Sequence, residues 1–138
     1  MKTLKVYDQE HFRIFKDKKI FDVISVDFRS KTVLLDTGKY GEIKRNFSQV
    51  NFMDNTEVKD ENGKFIHKGH IVSTLDDYFC NEAKKNKNGY NAEIYFEDGC
   101  YMANNCDLGS GFELDSTSVK NYSVKIIGNI YENSDLLS

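Results

Sequence analysis

The residues with the clearest potential for chemistry are the histidines His67 and His70, which could share a zinc ion with cysteines elsewhere in the chain. A structural zinc ion takes four such ligands, usually as closely spaced pairs. On an extended strand, residues three apart point to opposite faces of a sheet, so only a turn at Gly69 would bring the two histidines together. The sequence contains no second closely spaced pair of ligands. The spacing therefore favours two exposed turn histidines, and we expect no metal ion.

The cysteines show neither a cross-linking nor a nucleophilic pattern. Cys80, Cys100 and Cys106 are odd in number and contain no CxxC pair, which argues against a disulfide framework. Cys100 follows a predicted turn within a strand, where a free thiol is usually a small buried hydrophobe. The GSG sequence at 109–111 lacks the frame of a nucleophile elbow, and no glycine-rich phosphate loop occurs. The sequence therefore predicts no catalytic residue, no cofactor and no enzymatic activity.

Basic residues in the first part of the chain are interleaved with phenylalanines. This combination is typical of small barrels that bind single-stranded nucleic acid, because cations pair with phosphates and rings stack on bases. Most of these phenylalanines also fit the apolar side of strands, which favours core positions for them. We therefore keep nucleic-acid binding through a basic N-terminal face as the alternative function. Its candidate contacts are Lys16, Lys18, Lys19, Arg29 and Lys31.

The charge of the whole chain argues against a general nucleic-acid binder, since 138 residues carry a net charge of -3. The charge is unevenly distributed: residues 1–70 carry a net charge of +3 and residues 71–138 a net charge of -6. Such polarity is compatible with head-to-tail contacts between copies or with a single basic face, but chance variation with solvated charged faces is the simpler interpretation. The sequence has no apolar run of membrane length and no apolar signal region at its start, so we expect a cytoplasmic protein that does not bind membranes.

Short strand patterns joined by turns dominate the chain. In the segment Ile20–Phe28, the alternation places Ile20, Ile24, Val26 and Phe28 on one face. Residues 104–118 are predicted to be irregular, and no segment sustains a helical apolar stripe. The pattern predicts an all-β fold whose antiparallel strands curl into a small SH3-like barrel or roll. The predicted strands are Leu4–Tyr7, Ile20–Phe28, Thr32–Asp36, Val50–Met53, Tyr90–Phe96, Cys100–Ala103 and Tyr122–Ile130.

Glycine and asparagine mark the points where the chain turns. The pair at 62–63 is Asn-Gly, which readily takes positive φ at both positions of a tight turn. Gly69 indicates a second turn just before an apolar strand. Gly128 interrupts the last strand, where a backbone bends or approaches another closely. Asn133 is a candidate N-cap for a final helical turn anchored by Leu136 and Leu137. These positions predict backbone shape and supply no catalytic group.

Two segments resemble the YopX-like proteins of bacteriophages and prophages. The segment Thr56–Val72, TEVKDENGKFIHKGHIV, is similar to that family's TGLKDKNGKEIYEGDIV. The segment Ile127–Leu137, IGNIYENSDLL, contains Asn129 and Tyr131 and is similar to the family's closing IGNIYENPELL. The chain departs from the family at His70, where an aspartate is usual.

The resemblance implies a mostly β, barrel-like fold and a phage or prophage origin, and it supplies no biochemical activity. With the strand pattern it predicts one compact unit over 1–138, with an N-terminal β-hairpin lobe at 1–58 and a barrel-like lobe at 59–138 that ends in a short helical turn. We expect a non-enzymatic accessory protein that acts through protein–protein contacts, with itself as a homo-oligomer or with a host or phage protein. The structural motif residues of this interpretation are Asn62, Gly63, Gly69, Gly128, Asn129, Tyr131 and Asn133.

Overall fold

Antiparallel β-sheets make up most of the structure, a computed structural model that describes residues 4–10, 18–75, 90–105 and 110–137. The chain divides into two compact units, Met1–Asn55 (unit 1) and Thr56–Ser138 (unit 2).

Unit 1 contains one five-stranded antiparallel sheet with the strand order β4-β3-β2-β1-β5. Single-turn 3₁₀ helices at Gly38–Tyr40 and Phe47–Gln49 join its last three strands. The apolar core on one face consists of Val6, Phe21, Val33, Leu35 and Val50, all almost completely buried. The strands are β1 (Lys5–Asp8), β2 (Ile20–Asp27), β3 (Thr32–Asp36), β4 (Glu42–Asn46) and β5 (Val50–Met53).

A β-bulge in β2 changes the face that its side chains occupy. The pairing of β2 with β3 shifts register between Val23 and Ser25, and a bulge leaves one residue unpaired and turns the residues beyond it. Phe21 lies in the core at 1% exposure and Val26, beyond the bulge, packs against the same core, whereas Ile24 is exposed. Phe28 follows the end of β2 and is exposed in the turn to β3. The prediction that placed Ile24 and Phe28 on one face with Ile20 and Val26 is wrong, because simple alternation does not survive an inserted residue.

An ion pair lies buried in unit 1 between the first strand and the edge strand β4. Arg45 Nε donates to Asp8 Oδ1 at 2.9 Å and its terminal nitrogen donates to Asp8 Oδ2 at 3.2 Å. Both side chains are more than nine-tenths buried. Two parallel hydrogen bonds compensate part of the cost of removing the two charges from water. The pair links the first strand to the edge strand β4 within unit 1.

Unit 2 contains a second five-stranded antiparallel sheet, in the order β11-β10-β9-β8-β12, and a two-stranded sheet of β6 and β7. Its core includes Ile66, Val72, Ile94, Val119 and Val124. Its strands are β6 (Asn55–Lys59, which starts at the boundary between the units), β7 (Phe65–His67), β8 (His70–Thr74), β9 (Tyr90–Glu97), β10 (Cys100–Asn105), β11 (Ser110–Glu113) and β12 (Lys125–Asn129).

A short helix, α1 (Ser116–Tyr122), precedes the last strand. Asp115 caps it, since its side chain accepts a hydrogen bond from the Ser118 N–H at 2.7 Å. The predicted irregular segment at 104–118 is therefore wrong where β11 and α1 lie. The predicted strand at Tyr122 is also wrong, because Tyr122 ends the helix and Ser123 takes a left-handed φ of 49° before β12 begins.

The antiparallel sheets confirm the β class, while the SH3-like barrel stays unconfirmed. Each five-stranded sheet ends in two edge strands, and the described residues contain no closed barrel. The chain ends in a 3₁₀ turn at Ser134–Leu137, where a short helical turn was predicted.

Candidate functional site

The turn between β2 and β3 exposes an aromatic side chain that is continuous with the core of unit 1. Phe28 is 78% exposed, more than any other large apolar side chain in the described part of the chain. Its ring contacts Phe47 edge to face, with centroids 5.9 Å apart. Phe47 contacts Phe52 in the same way at 5.4 Å, and both pack on the core. These edge-to-face contacts support the exposed ring of Phe28 on two partly buried phenylalanines.

Two exposed cations, Arg29 and Lys31, follow Phe28 in the same turn. The turn is built by Asp27, whose carboxylate accepts the backbone N–H groups of Arg29 at 2.9 Å and Ser30 at 3.3 Å. These hydrogen bonds, with the nearby charge of Lys44, lower the pKa of Asp27. The Phe47 N–H donates to the Lys31 carbonyl at 2.9 Å and links the turn to the backbone of the phenylalanine that supports Phe28. We call Phe28, Arg29 and Lys31 the basic tip.

The structure separates the predicted nucleic-acid contacts into two groups. Arg29 and Lys31 lie in the basic tip after β2, whereas Lys18 and Lys19 lie just before β2. The eight residues of β2 separate the two groups by about 25 Å, at 3.2–3.4 Å per residue. Lys18 Nζ lies 5.4 Å from the ring centroid of the buried Phe21. Lys16 lies outside the described residues.

Acidic residues interrupt the surface between these two groups of cations. Asp22 lies on β2 and pairs with Lys5 at 2.7 Å. Asp27 adds a second carboxylate at the end of the same strand, so both groups of cations have an acidic residue nearby in the sequence of β2.

The predicted turn at Asn62 and Gly63 joins β6 to β7. The side chain of a buried aspartate just before the turn accepts hydrogen bonds from the backbone of this turn and of β12. Gly63 takes a φ of 85°, whereas Asn62 does not take the positive φ expected for it. Asp60 is only 5% exposed, and its carboxylate accepts three backbone N–H groups, from Asn62, Lys64 and Ile126. Sequence reasoning missed Asp60, although an aspartate two residues before Asn-Gly is a known turn-forming arrangement.

The second predicted turn, at Gly69, brings the two histidines together. Gly69 takes a φ of 96°, and its N–H and carbonyl bond to Ile94 and Ile130 at 2.9 Å each. The rings of His67 and His70 meet edge to face at 5.5 Å. His67 is only 1% exposed, so the prediction of two exposed turn histidines is wrong.

The histidine pair is organised by hydrogen bonds to the backbone. The His67 N–H donates to His70 Nδ1 at 2.9 Å, and His67 Nδ1 lies 3.2 Å from the Phe65 carbonyl. The described residues contain no group of three or more His, Cys, Asp or Glu side chains placed to hold a metal ion. Cys80 and Cys106 lie outside the described residues.

The closing motif forms a compact hydrogen-bonded turn after β12. The Asn129 side chain accepts the N–H groups of Tyr131 and Glu132, both at 2.9 Å. Asn133 was predicted to cap the final turn with its side chain, but its Oδ1 accepts the Asn129 N–H at 3.1 Å instead. The Asn133 carbonyl accepts the Leu136 N–H at 2.9 Å and starts the final turn. The prediction of a side-chain cap is therefore wrong, and the side chain closes the turn on its other side.

Glu93 on β9 and Tyr131 in the closing motif are half-buried groups with altered ionisation. Burial raises the pKa of Glu93. Burial and the negative charge of Glu93 raise the pKa of Tyr131. Removing water disfavours the charged form of both groups.

Replacing Glu93 with glutamine is expected to raise the melting temperature at pH 7.5 and to change it little near pH 4. Because folding raises the pKa of Glu93, its contribution to stability is complete below its ordinary value of 4.5 and is lost as the pH rises through the raised value. Glutamine does not ionise and avoids this loss. Thermal unfolding of both proteins between pH 4 and 8 measures the difference, and parallel profiles would contradict the assignment.

No helix in the described residues combines the length and the apolar composition that crossing a bilayer requires.

Comparison with known proteins gives a family and a fold. The model of the family described as YopX protein matches residues 5–138. Among solved structures, the crystal structure of protein EF1440 from Enterococcus faecalis is similar over 100% of this chain and 99% of that chain, with a TM-score of 0.55 and 20% sequence identity. At this identity the similarity shows the fold alone. A search of curated proteins found no match.

Proposed function

This chain belongs to the YopX family, and from that premise we propose that it is a phage or prophage accessory protein that binds another protein through its basic tip, without catalysis. The family match supports the phage-like accessory role. The single observation that carries the binding role is the 78% exposure of Phe28. Its ring contacts Phe47 edge to face, and Phe47 contacts Phe52 in the same way.

An aromatic side chain flanked by arginine is the composition that binding hot spots favour. Residues that dominate binding energy are commonly large aromatics and arginines that fill a pocket on the partner. Covering the ring of Phe28 would stabilise a complex by about 1.5–3 kcal/mol. A partner suited to this tip offers an apolar pocket with acidic residues at its rim, which would pair with Arg29 and Lys31. We place this contact in the bacterial cytoplasm, with a second copy or with a host or phage protein as the partner.

A photo-crosslinking experiment tests this proposal at the residue that carries it. Placing p-benzoylphenylalanine at position 28 in bacterial cells is expected to give a discrete protein adduct that survives nuclease treatment. The same probe at Tyr40, another exposed aromatic of unit 1 at 45% exposure, serves as the matched control and should not give that adduct. Absence of any protein adduct at position 28 would reject the proposal.

Nucleic-acid binding is the second candidate, because the same tip combines a ring free to stack with two exposed cations. This function predicts binding to single-stranded DNA or RNA that weakens as salt rises, and a loss of affinity in Arg29→Glu. Comparing its affinity with those of Lys18→Glu and Lys19→Glu shows whether the cations before β2 also contribute to nucleic-acid binding. Fluorescence anisotropy at low salt measures all four proteins, and the absence of binding by the unmodified chain would remove this candidate.

A further inference from the structure

Unit 2 carries a second exposed aromatic side chain on a hairpin, and it is built like the basic tip. Phe96 lies at the end of β9 next to the turn to β10 and is 51% exposed. Its ring contacts Tyr101 at a centroid distance of 4.9 Å, inclined by 69°. Tyr101 packs against the core of unit 2. As in unit 1, a packed aromatic residue supports an exposed phenylalanine at the end of a hairpin.

The charges around Phe96 have the sign opposite to those of the basic tip. Glu97 and Asp98 follow Phe96 directly and are exposed. The Tyr95 hydroxyl donates to Glu97 Oε1 at 3.3 Å and orients this carboxylate. Every charged residue of β9, β10, β11 and the turn between β9 and β10 is acidic. We call Phe96, Glu97 and Asp98 the acidic tip.

We propose that the basic tip of one copy of this chain docks on the acidic tip of a second copy. This inference rests on the proposed function and names the partner of the same site. Phe28 and Phe96 contact each other in the centre of the interface, while Arg29 and Lys31 face Glu97 and Asp98. Aromatic pairs and opposite charges both favour this arrangement.

Charge complementarity selects this pairing over contacts between identical tips. Two basic tips or two acidic tips would place like charges opposite each other, which costs free energy on association. The division extends to the whole units, since residues 1–55 carry a net charge of +3 and residues 56–138 a net charge of -6. Long-range attraction between unlike units speeds encounter and weakens as salt rises.

The proposed contact is heterologous, because each copy uses two different surfaces. Such a contact leaves one unused tip of each kind on a dimer, so assembly continues into a ring or an open chain. Two hairpin tips cover a small area, and interfaces of that size bind weakly and reversibly. We expect self-association that grows with protein concentration and is suppressed by high salt.

Analytical ultracentrifugation of charge-reversal variants tests the pairing. Arg29→Glu alone and Glu97→Lys alone are each expected to weaken self-association by at least tenfold at low salt, and the double variant should recover it. Recovery in the double variant also shows that the single variants failed through charge and not through misfolding. Lys19→Glu and Glu61→Lys change charges away from the tips and should associate like the unmodified chain.

Mixing two single-substitution variants, each lacking the phenylalanine of one tip, distinguishes a heterologous contact from a symmetric one. Phe28→Ser retains the acidic tip and Phe96→Ser retains the basic tip, so each is expected to be monomeric alone. Their equimolar mixture should form dimers that do not grow further, since each dimer lacks a second usable tip.

A strict monomer at high concentration and low salt, or Phe96→Ser that associates like the unmodified chain, would overturn the docking of the two tips. The proposed function would survive either result if the probe at position 28 captured a different protein in cells. Without any protein adduct at position 28, the binding role itself would fail.

Discussion

Replacing Asp60 with alanine is expected to lower the free energy of unfolding by about 3–4 kcal/mol, because three backbone N–H groups lose a charged acceptor together. One oxygen accepts from Asn62 and Lys64, both at 2.9 Å, and closes the turn between β6 and β7. The other accepts from Ile126 of β12 at 3.0 Å. The side chain is 5% exposed, so water replaces these bonds poorly. One carboxylate thus joins the β6–β7 turn to the edge strand of the five-stranded sheet.

Urea unfolding followed by far-ultraviolet circular dichroism measures this loss. Asp60→Asn keeps one acceptor oxygen and should lose less stability than Asp60→Ala. Asp27→Ala is a matched control, because Asp27 also accepts two backbone N–H groups at a hairpin turn but is fully exposed to solvent. We expect a much smaller effect there, and equal losses at the two aspartates would show that burial does not set the strength of the Asp60 bonds.

Asp60 also shows what sequence reasoning can and cannot reach in this fold. The Asn-Gly pair indicated the turn, because positive φ at glycine is a local property of the chain. The bond from Ile126 joins residues 66 positions apart, and no local pattern encodes such a contact. The turns were therefore predictable, whereas the residue that fastens one turn to a distant strand was not.

The strands were predicted well where simple alternation holds and poorly where a local feature interrupts it. Thr32–Asp36 and Val50–Met53 have the predicted bounds. The bulge between Val23 and Ser25 brings Val26 to the same core as Phe21 and leaves Ile24 exposed, while Phe28 is exposed because β2 ends at Asp27 and Phe28 lies in the turn. The α1 sequence, STSVKNY, has too few apolar residues to form a helical stripe, and the Asp115 cap is its only strong local signal.

For the two tips as well, the sequence shows which residues are neighbours along the chain but not which side chains are exposed or in contact in the fold. Phe28 with Arg29 and Phe96 with Glu97 are adjacent in sequence, and each pair is visible there as an aromatic residue beside a charge. Their exposure was not visible, because alternation assigned Phe28 to a buried face. The supporting contact of Phe28 with Phe47 joins side chains from separate elements. Only the folded structure distinguishes an exposed phenylalanine supported by another aromatic ring from a phenylalanine in the core.

Gly128 is the position at which the closing motif tolerates a side chain least. A Cβ atom built there would lie 2.6 Å from Asn133 Oδ1 and 2.9 Å from Asn133 Cγ. The sequence predicted a bend or the close approach of another backbone at this glycine; the group that approaches it closely is the Asn133 side chain. Asn133 Oδ1 accepts the Asn129 N–H at 3.1 Å, so Asn133 can move away only by giving up the bond that closes the turn. The register shift between β12 and β8 lies between Ile126 and Gly128, directly before this glycine's pairing with Ile71.

Replacing Gly128 with valine is therefore expected to lower the free energy of unfolding by about 3 kcal/mol, through overpacking and loss of the Asn129 hydrogen bond. Gly128→Ala should cost about 1–2 kcal/mol for the same reason. A double-mutant cycle with Asn133→Gly isolates the cause, since it removes both the Asn133 amide and the Asn133 Cβ, which would lie 3.0 Å from the new methyl group. In that background, Gly128→Ala should cost less than about 0.5 kcal/mol. Urea unfolding measures the cycle, and additive losses would show that Gly128 is required for a reason other than its contact with Asn133.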